Sequence, residues 1–308
     1  MTDSTAKARA QRFRRRVIGG LLVTIVLLFS VLPFGLSFAG MYFFVDGMCS
    51  RGTTPDLLGM PYESVTFPSA NHNHPAYFIP GAHRAVVVIA PPYSGDAGTQ
   101  LDYARIFHDA GLSVLSLSGR TCIDGPVQTL GYLEGVEDVV AAYTYLGTRD
   151  DVDISRVSAH GFSAAGAAAL FAAAEIPELR AASAMGNYED FYEEFGVVNA
   201  SDNPINRMIK FGMRSGYRAA SGISVERARP IDAIPRINPR PILFVYGTTE
   251  SSLNGGREMF ALAGDTSEMW EVPGAGHGNY LALFPEEGRE IIGGFHRRHL
   301  LGDEAPDE

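Results

Sequence analysis

Two hydrophobic periods take turns along this chain after residue 55. Residues 61–67 alternate apolar and polar well enough for a strand. A turn over 69–75 then leads to a second short strand over 76–79, which makes a hairpin. Residues 85–90 are a continuous apolar run, the mark of a strand buried on both faces. Further strand-like runs cover 112–117, 157–159, 179–185, 241–246 and 268–272. Between them the spacing changes to that of a helix face. Leu101, Ala104, Ile106 and Phe107 share one face, and Leu133, Val136, Val139, Val140, Tyr143 and Leu146 share another. Helices are also expected over the alanine-rich stretch 167–174, near 256–263 and over about 286–300. Strands alternating with helices predict a mostly parallel central sheet with helices on both faces and right-handed crossovers.

Two stretches break this rhythm. Residues 186–238 lose clear periodicity, carry acids (Glu189, Asp190, Glu193, Glu194) and aromatics (Tyr188, Phe191, Tyr192, Phe195), and contain one amphipathic piece at 205–217. A long irregular segment within a domain reads as a cap-like insertion. The other exception is the N-terminus, where Lys7, Arg9, Arg12, Arg14, Arg15 and Arg16 precede an uncharged, largely apolar run over 17–45. That run exceeds the roughly 20 residues that span a bilayer as a helix. Basic residues stay on the cytoplasmic side, so residues 1–16 are expected to form a cytoplasmic tail and 17–45 a single transmembrane anchor. Residues 46–308 would then lie outside the cytoplasm at the cell membrane. A cleaved signal peptide is the rival, with Ser37-Phe38-Ala39 as its small-residue site.

Of the 25 basic and 35 acidic residues, only six and one fall within the first 45, so the remainder carries a net charge of −15. Such a surface repels phosphate backbones, which excludes nucleic acid as the expected partner. Cys49 and Cys122 are the only cysteines; outside the cytoplasm they either pair or remain two thiols. His72 and His74 form an H-x-H pair. With Asn and Pro neighbours in a solvated turn and no third ligand nearby, they are expected to hold no metal, and no cofactor is expected elsewhere.

The chemistry concentrates where strands end. Residues 156–166, RVSAHGFSAAG, read as strand, sharp turn and helix with Ser163 at the apex. In a nucleophile elbow the residues two before and two after the serine must be small, as Gly161 and Ala165 are. Glu250 and His277 likewise follow strands, and in an open parallel sheet those ends form the ligand crevice. A serine needs a base, and the base needs an acid, so Ser163, His277 and Glu250 are the expected catalytic trio. Asp190 is a substitute acid. His160 beside the elbow is expected to be a packed strand residue. The oxyanion would meet the N–H of Ala164 and one from the loop after 85–90. Pro91 and Pro92 have no N–H, which leaves Tyr93, with Ser94 next.

Four stretches carry a resemblance: Pro61-Tyr62-Glu63-Ser64-Val65-Thr66-Phe67, Gly161-Phe162-Ser163-Ala164-Ala165-Gly166, Pro239-Arg240-Pro241-Ile242-Leu243-Phe244-Val245-Tyr246-Gly247-Thr248-Thr249-Glu250, and Val272-Pro273-Gly274-Ala275-Gly276-His277. Over roughly 55–301 the chain resembles the α/β-hydrolase superfamily, and within it the membrane-anchored Bem46-like group. The resemblance implies an α/β-hydrolase fold behind a hydrophobic N-terminal segment. It also places the acid and histidine at Glu250 and His277. Ala165 stands where the group has a second elbow glycine, Glu250 where it has Asp, and Ala90-Pro91-Pro92 where it has His-Gly. The expected activity is a metal-independent serine hydrolase that cleaves a carboxylic ester, less readily an amide, through an acyl-serine, on a small-molecule or lipid-like acyl substrate. A non-catalytic membrane-tethered scaffold, a peptidase and an acyltransferase on the same fold are the rivals.

Overall fold

The alternation at 61–67 folds as β1 (Glu63–Ser69), which pairs antiparallel with β2 (His72–Ile79). Register puts Ser69 opposite His72, so the turn is only Ala70-Asn71, with Ala70 at φ 46°. The expected turn over 69–75 is thus too long, and His72 and His74 lie on a strand, with His74 fully buried. The two-residue turn wins because a positive φ there matches the twist of the strands it joins. Pro75 is tolerated because the ladder from β2 to its other neighbour starts only at Ala76.

A computed structural model describes residues 3–44, 49–123, 132–191, 203–222 and 224–302. The expectations for Tyr192, Glu193, Glu194 and Phe195, for the second half of the loop at 118–128, for Val45 and for the tail 303–308 lie outside the described residues. The chain divides into two units, Met1–Phe44 with Phe195–Val225, and Val45–Glu194 with Glu226–Glu308.

In the first unit, α1 (Asp3–Val26) continues through a wider π turn, Leu27–Val31, into α2 (Leu32–Phe44). The π turn precedes Pro33, which cannot donate to the residue-29 carbonyl. Lys7–Phe43 is a 37-residue helix whose most apolar 18-residue window has a mean hydropathy of 2.6 and no buried residue, long and apolar enough to cross a membrane.

The larger unit is built on one eight-stranded sheet of order β1-β2-β4-β3-β5-β6-β7-β8. The other strands are β3 (Val86–Ile89), β4 (Ser113–Leu117), β5 (Val157–Phe162), β6 (Ala182–Met185), β7 (Ile242–Gly247) and β8 (Glu268–Val272). β2 pairs antiparallel with β4, and every pairing from β4 to β8 is parallel. Its helices are α3 (Leu101–Asp109), α4 (Tyr132–Leu146) and α5 (Ala164–Glu175). The helix α6 (Pro204–Ser221) belongs to the first unit. After it come α7 (Ile234–Ile237), α8 (Leu253–Leu262), α9 (Tyr280–Leu283) and α10 (Pro285–Leu301).

Residue chemistry accounts for the layers. β3, β4 and β7 are buried at every position because neighbours cover both faces. In α5, Ala165–Ala173 are all buried, and alanine lets the helix approach the sheet closely. Phe107, Ile292 and Phe295 fill one face of the core, each worth about 1.5–3 kcal/mol when fully buried.

Within the first unit, α6 starts at Asn203, whose side chain accepts from Asn206 N–H at 2.9 Å, with Pro204 in the first turn. It ends at Gly222, left-handed at φ 74°. α6 lies along α2: a Cβ on Gly212 would collide with Ser37 Oγ, and one on Gly216 with the Phe38 carbonyl. The rings of Phe34 and Phe211 meet at 5.5 Å between centroids. Gly212-x-x-x-Gly216 thus forms a small-residue face on which the two helices pack closely.

Candidate active site

β5 passes to α5 through Ser163, which sits at φ 56°, ψ −124°. A non-glycine residue in that region costs of order 1–3 kcal/mol and persists only where its surroundings enforce it. Here Ser163 N–H donates to the Met185 carbonyl at 2.8 Å, and the Ser163 carbonyl accepts from Gly166 N–H at 2.9 Å. Gly161 must lack a side chain, because a Cβ would strike the Ala165 carbonyl. The Ala165 methyl, by contrast, is simply buried in the helix packing. The bend leaves Ser163 at the start of α5, where the first N–H groups of a helix lack a carbonyl four residues back.

Glu250 follows β7. Its carboxylate folds back, so that Oε2 accepts the Gly247 N–H at 2.6 Å and the Tyr280 hydroxyl at 2.6 Å. His277 follows β8 in a loop joined to the Glu250 turn through Thr249, whose N–H and hydroxyl both donate to the Ala275 carbonyl, at 3.0 and 2.7 Å. These bonds bring three residues into line. His277 Nδ1 lies 2.7 Å from Glu250 Oε1, and His277 Nε2 lies 3.1 Å from Ser163 Oγ. The side chain of His277 is 51% exposed while that of Glu250 is 3% exposed, so the imidazole can meet solvent and the carboxylate cannot. Burial pushes the Glu250 pKa up, but the hydrogen bonds from His277, Tyr280 and Gly247 outweigh it and hold it below the ordinary value. Burial, then the bond to Glu250, pushes Tyr280 well above a normal phenol, so it remains a donor. The extra methylene of Glu relative to Asp is taken up in this fold-back, which explains how a longer carboxylate reaches the imidazole.

Asp190, the substitute acid, instead pairs with Arg229 at 2.8 Å. His160 is fully buried, as a packed strand residue should be. It belongs to a chain in which Ser158 Oγ meets His296 Nδ1, His296 Nε2 meets Ser183 Oγ, and Ser183 Oγ meets His160 Nδ1, each at 2.7 Å. Burial alone lowers the His160 pKa to about 3. The Ser183–His296 pair is therefore a second serine–histidine contact, but with both residues fully buried it has no path to a substrate.

Ala164 and Tyr93 both border a cavity of about 270 Å³ with Ser163, Phe162, Gln100 and Tyr103. The Pro91-Pro92-Tyr93 loop is tied down along its length. The carbonyl of Tyr93 accepts from Thr121 Oγ1 at 3.3 Å, that of Ser94 from Ser50 N–H at 2.7 Å, and that of Gly95 from Gly119 N–H at 2.7 Å. Cys49 and Cys122 form a disulfide that joins the two segments supplying these donors.

Two residues of this site escape sequence reasoning. Tyr280 carries no signal beyond its place three residues after His277. Gly186 has one, a glycine at the end of a strand: at φ 58°, a Cβ there would fall 2.5 Å from Tyr280 Oη, 2.8 Å from Glu250 Oε1 and 3.1 Å from His277 Nδ1.

No family model matches the sequence, and no curated protein matches it either. Solved structures do. An esterase of Pyrococcus furiosus has a TM-score of 0.62 at 17% identity, covering 82% of this chain and 97% of its own. A dienelactone hydrolase of Anabaena variabilis has 0.56 at 16%, covering 78% and 99%. The esterase domain of a Rhodothermus marinus protein has 0.56 at 18%, covering 78% and 100%. Identities this low speak to architecture alone. With the mostly parallel sheet and the elbow that joins β5 to α5, they establish that this chain has the α/β-hydrolase fold.

Proposed function

We propose that this chain is a membrane-tethered serine hydrolase that cleaves a carboxylic ester, with Ser163 as nucleophile, His277 as base and Glu250 as its acid. The observation that carries the reading is the hydrogen-bonded line Ser163 Oγ–His277–Glu250 at a strained elbow. Ser163 Oγ attacks the ester carbonyl carbon while its proton passes to His277 Nε2. Glu250 stabilises the resulting imidazolium through Nδ1. The N–H groups of Ala164 and Tyr93 receive the tetrahedral oxyanion. Collapse breaks the C–O bond, His277 protonates the departing alcohol, and the acyl group stays on Ser163. Water, deprotonated by His277, then releases the carboxylic acid and restores the hydroxyl. The esterases among the structural neighbours fit this reaction class.

The cavity beside Ser163 is at or below the small end of ligand pockets, which favours short acyl groups. Full-length protein in detergent should therefore hydrolyse p-nitrophenyl acetate and butyrate faster than the palmitate ester. No hydrolysis of any of the three would return the scaffold reading.

One observation favours a retained anchor in the manner of the Bem46-like group. The glycine face of α6 is matched to Phe34, Ser37 and Phe38, a surface that cleavage after Ala39 would remove. The Cys49–Cys122 disulfide suits an oxidising compartment, in keeping with a basic tail inside and residues 46–308 outside.

A further inference from the structure

His72, His74 and Asp138 converge at one point away from the cavity beside Ser163. His72 Nε2 and His74 Nδ1 are 3.3 Å apart, His74 Nδ1 and Asp138 Oδ1 are 3.3 Å apart, and His72 Nε2 and Asp138 Oδ1 are 3.5 Å apart. Three atoms so placed form a nearly equilateral triangle. A tetrahedral ion with bonds of about 2.0–2.1 Å sets its ligand atoms roughly 3.3–3.4 Å apart. The third ligand, which the sequence did not offer near the H-x-H pair, comes from α4.

Hydrogen bonds also hold the carboxylate from its other side. Asp138 Oδ1 already accepts the Ser69 hydroxyl at 2.6 Å and Arg120 Nη2 at 3.1 Å, and Oδ2 accepts Arg120 Nε at 2.9 Å. The contacts to the two imidazoles are longer than the 2.7–2.9 Å or so of a charge-assisted bond. Among the described residues, His74 Nε2 is buried with no hydrogen-bond partner. The polar capacity of that ring is therefore spent at Nδ1, the nitrogen aimed at His72 and Asp138. Arg120 also reaches Glu137 at 3.0 Å. Ser69 and Arg120 hold the carboxylate as outer partners hold a metal ligand.

We propose that His72 Nε2, His74 Nδ1 and Asp138 Oδ1 are three ligands of a structural zinc-class divalent ion, with water in the fourth position beside the partly exposed His72. Two imidazoles and a carboxylate suit zinc better than calcium or magnesium. The ion would pin the β1–β2 turn to α4 and, through Arg120, to the loop after β4. The next residue in that loop, Thr121, bonds the Tyr93 carbonyl. Its effect on the Ser163 site is thus indirect, through the loop that faces the nucleophile.

The test uses full-length protein without a polyhistidine tag, stripped with EDTA in detergent micelles and titrated with Co²⁺. The expected result is one equivalent per chain with the strong visible bands of four-coordinate cobalt, displaced by Zn²⁺, and a rise in Tm on adding Zn²⁺. His277→Ala should keep that spectrum. His72→Gln, at the accessible rim of the site, should fold, lose the four-coordinate bands and lose the Zn²⁺-dependent rise in Tm. Wild-type protein that gives only the weak spectrum of aqueous Co²⁺ overturns the proposal, whatever the variants do. So does His72→Gln protein that retains the wild-type spectrum and stoichiometry.

Discussion

Glu250→Gln keeps the shape of the acid and removes its charge, which makes it the most informative single change at the proposed triad. In the wild type the carboxylate lies 2.7 Å from His277 Nδ1, and only 3% of its side chain is exposed. When His277 takes the Ser163 proton, the new positive charge is centred about 4 Å from the carboxylate. At an effective dielectric constant of about 20, that attraction is worth about 4 kcal/mol. With 1.36 kcal/mol per factor of ten, its loss should lower kcat about 10³-fold. The amide also fits badly. With its oxygen toward His277, its NH₂ faces the Gly247 N–H and the Tyr280 hydroxyl, both of which donate to Oε2 in the wild type. Steady-state hydrolysis of p-nitrophenyl butyrate should show the loss mainly in kcat, with circular dichroism confirming the fold. Asp190→Asn should leave kcat within a few-fold, because Asp190 serves Arg229. A Glu250→Gln enzyme within tenfold of wild type, or an Asp190→Asn enzyme that falls further, would refute the assignment of the acid.

Gly186→Ala should fold yet lose at least tenfold in kcat, since its Cβ would press on Tyr280, Glu250 and His277 together; undiminished turnover would mean that these contacts can relax freely. Stability should fall as pH drops below about 6.5, because His160 is held neutral down to about 3 while an unfolded histidine protonates near 6.5. In that window the unfolded chain binds the extra proton, at about 1.4 kcal/mol per pH unit for each such residue, and His296 shifts in the same direction. Denaturant melts at pH 7.5, 6.5 and 5.5 check this, and a flat series would contradict it. Intact-mass analysis of protein extracted from membranes should find residues 1–39 still attached; a chain beginning at Gly40 would show the signal-peptide reading to be the right one.

Much of the fold could be read from the chain because periodicity follows burial. All eight strands overlap an apolar run or alternation that predicted them, β2 starting four residues earlier than expected, and the order of strand and helix implied a parallel sheet. Residues 69–75 misled, because His, Asn and Pro look like a solvated turn. The actual turn takes two residues and buries His74. Ser163, Glu250 and His277 could be named because each follows a strand, and strand ends converge in space. Tyr280 and Gly186 could not, since their part is to contact Glu250 from elements whose approach no local pattern encodes. Asp138 escaped for the same reason: it lies 64 residues beyond His74 and meets it only once α4 packs beside the hairpin. The close fit of α6 on α2 is likewise a long-range match between two glycines and an apolar helix.

The central claim is that Ser163 carries the acyl group, and trapping that group tests it most directly. Full-length protein in detergent, treated with a fluorophosphonate or a slowly turned-over p-nitrophenyl ester, should gain one adduct per chain. Peptide mass spectrometry should place the adduct on Ser163, and Ser163→Ala should gain none. Labelling that survives in Ser163→Ala, or an adduct mapped to any other residue, would contradict the account.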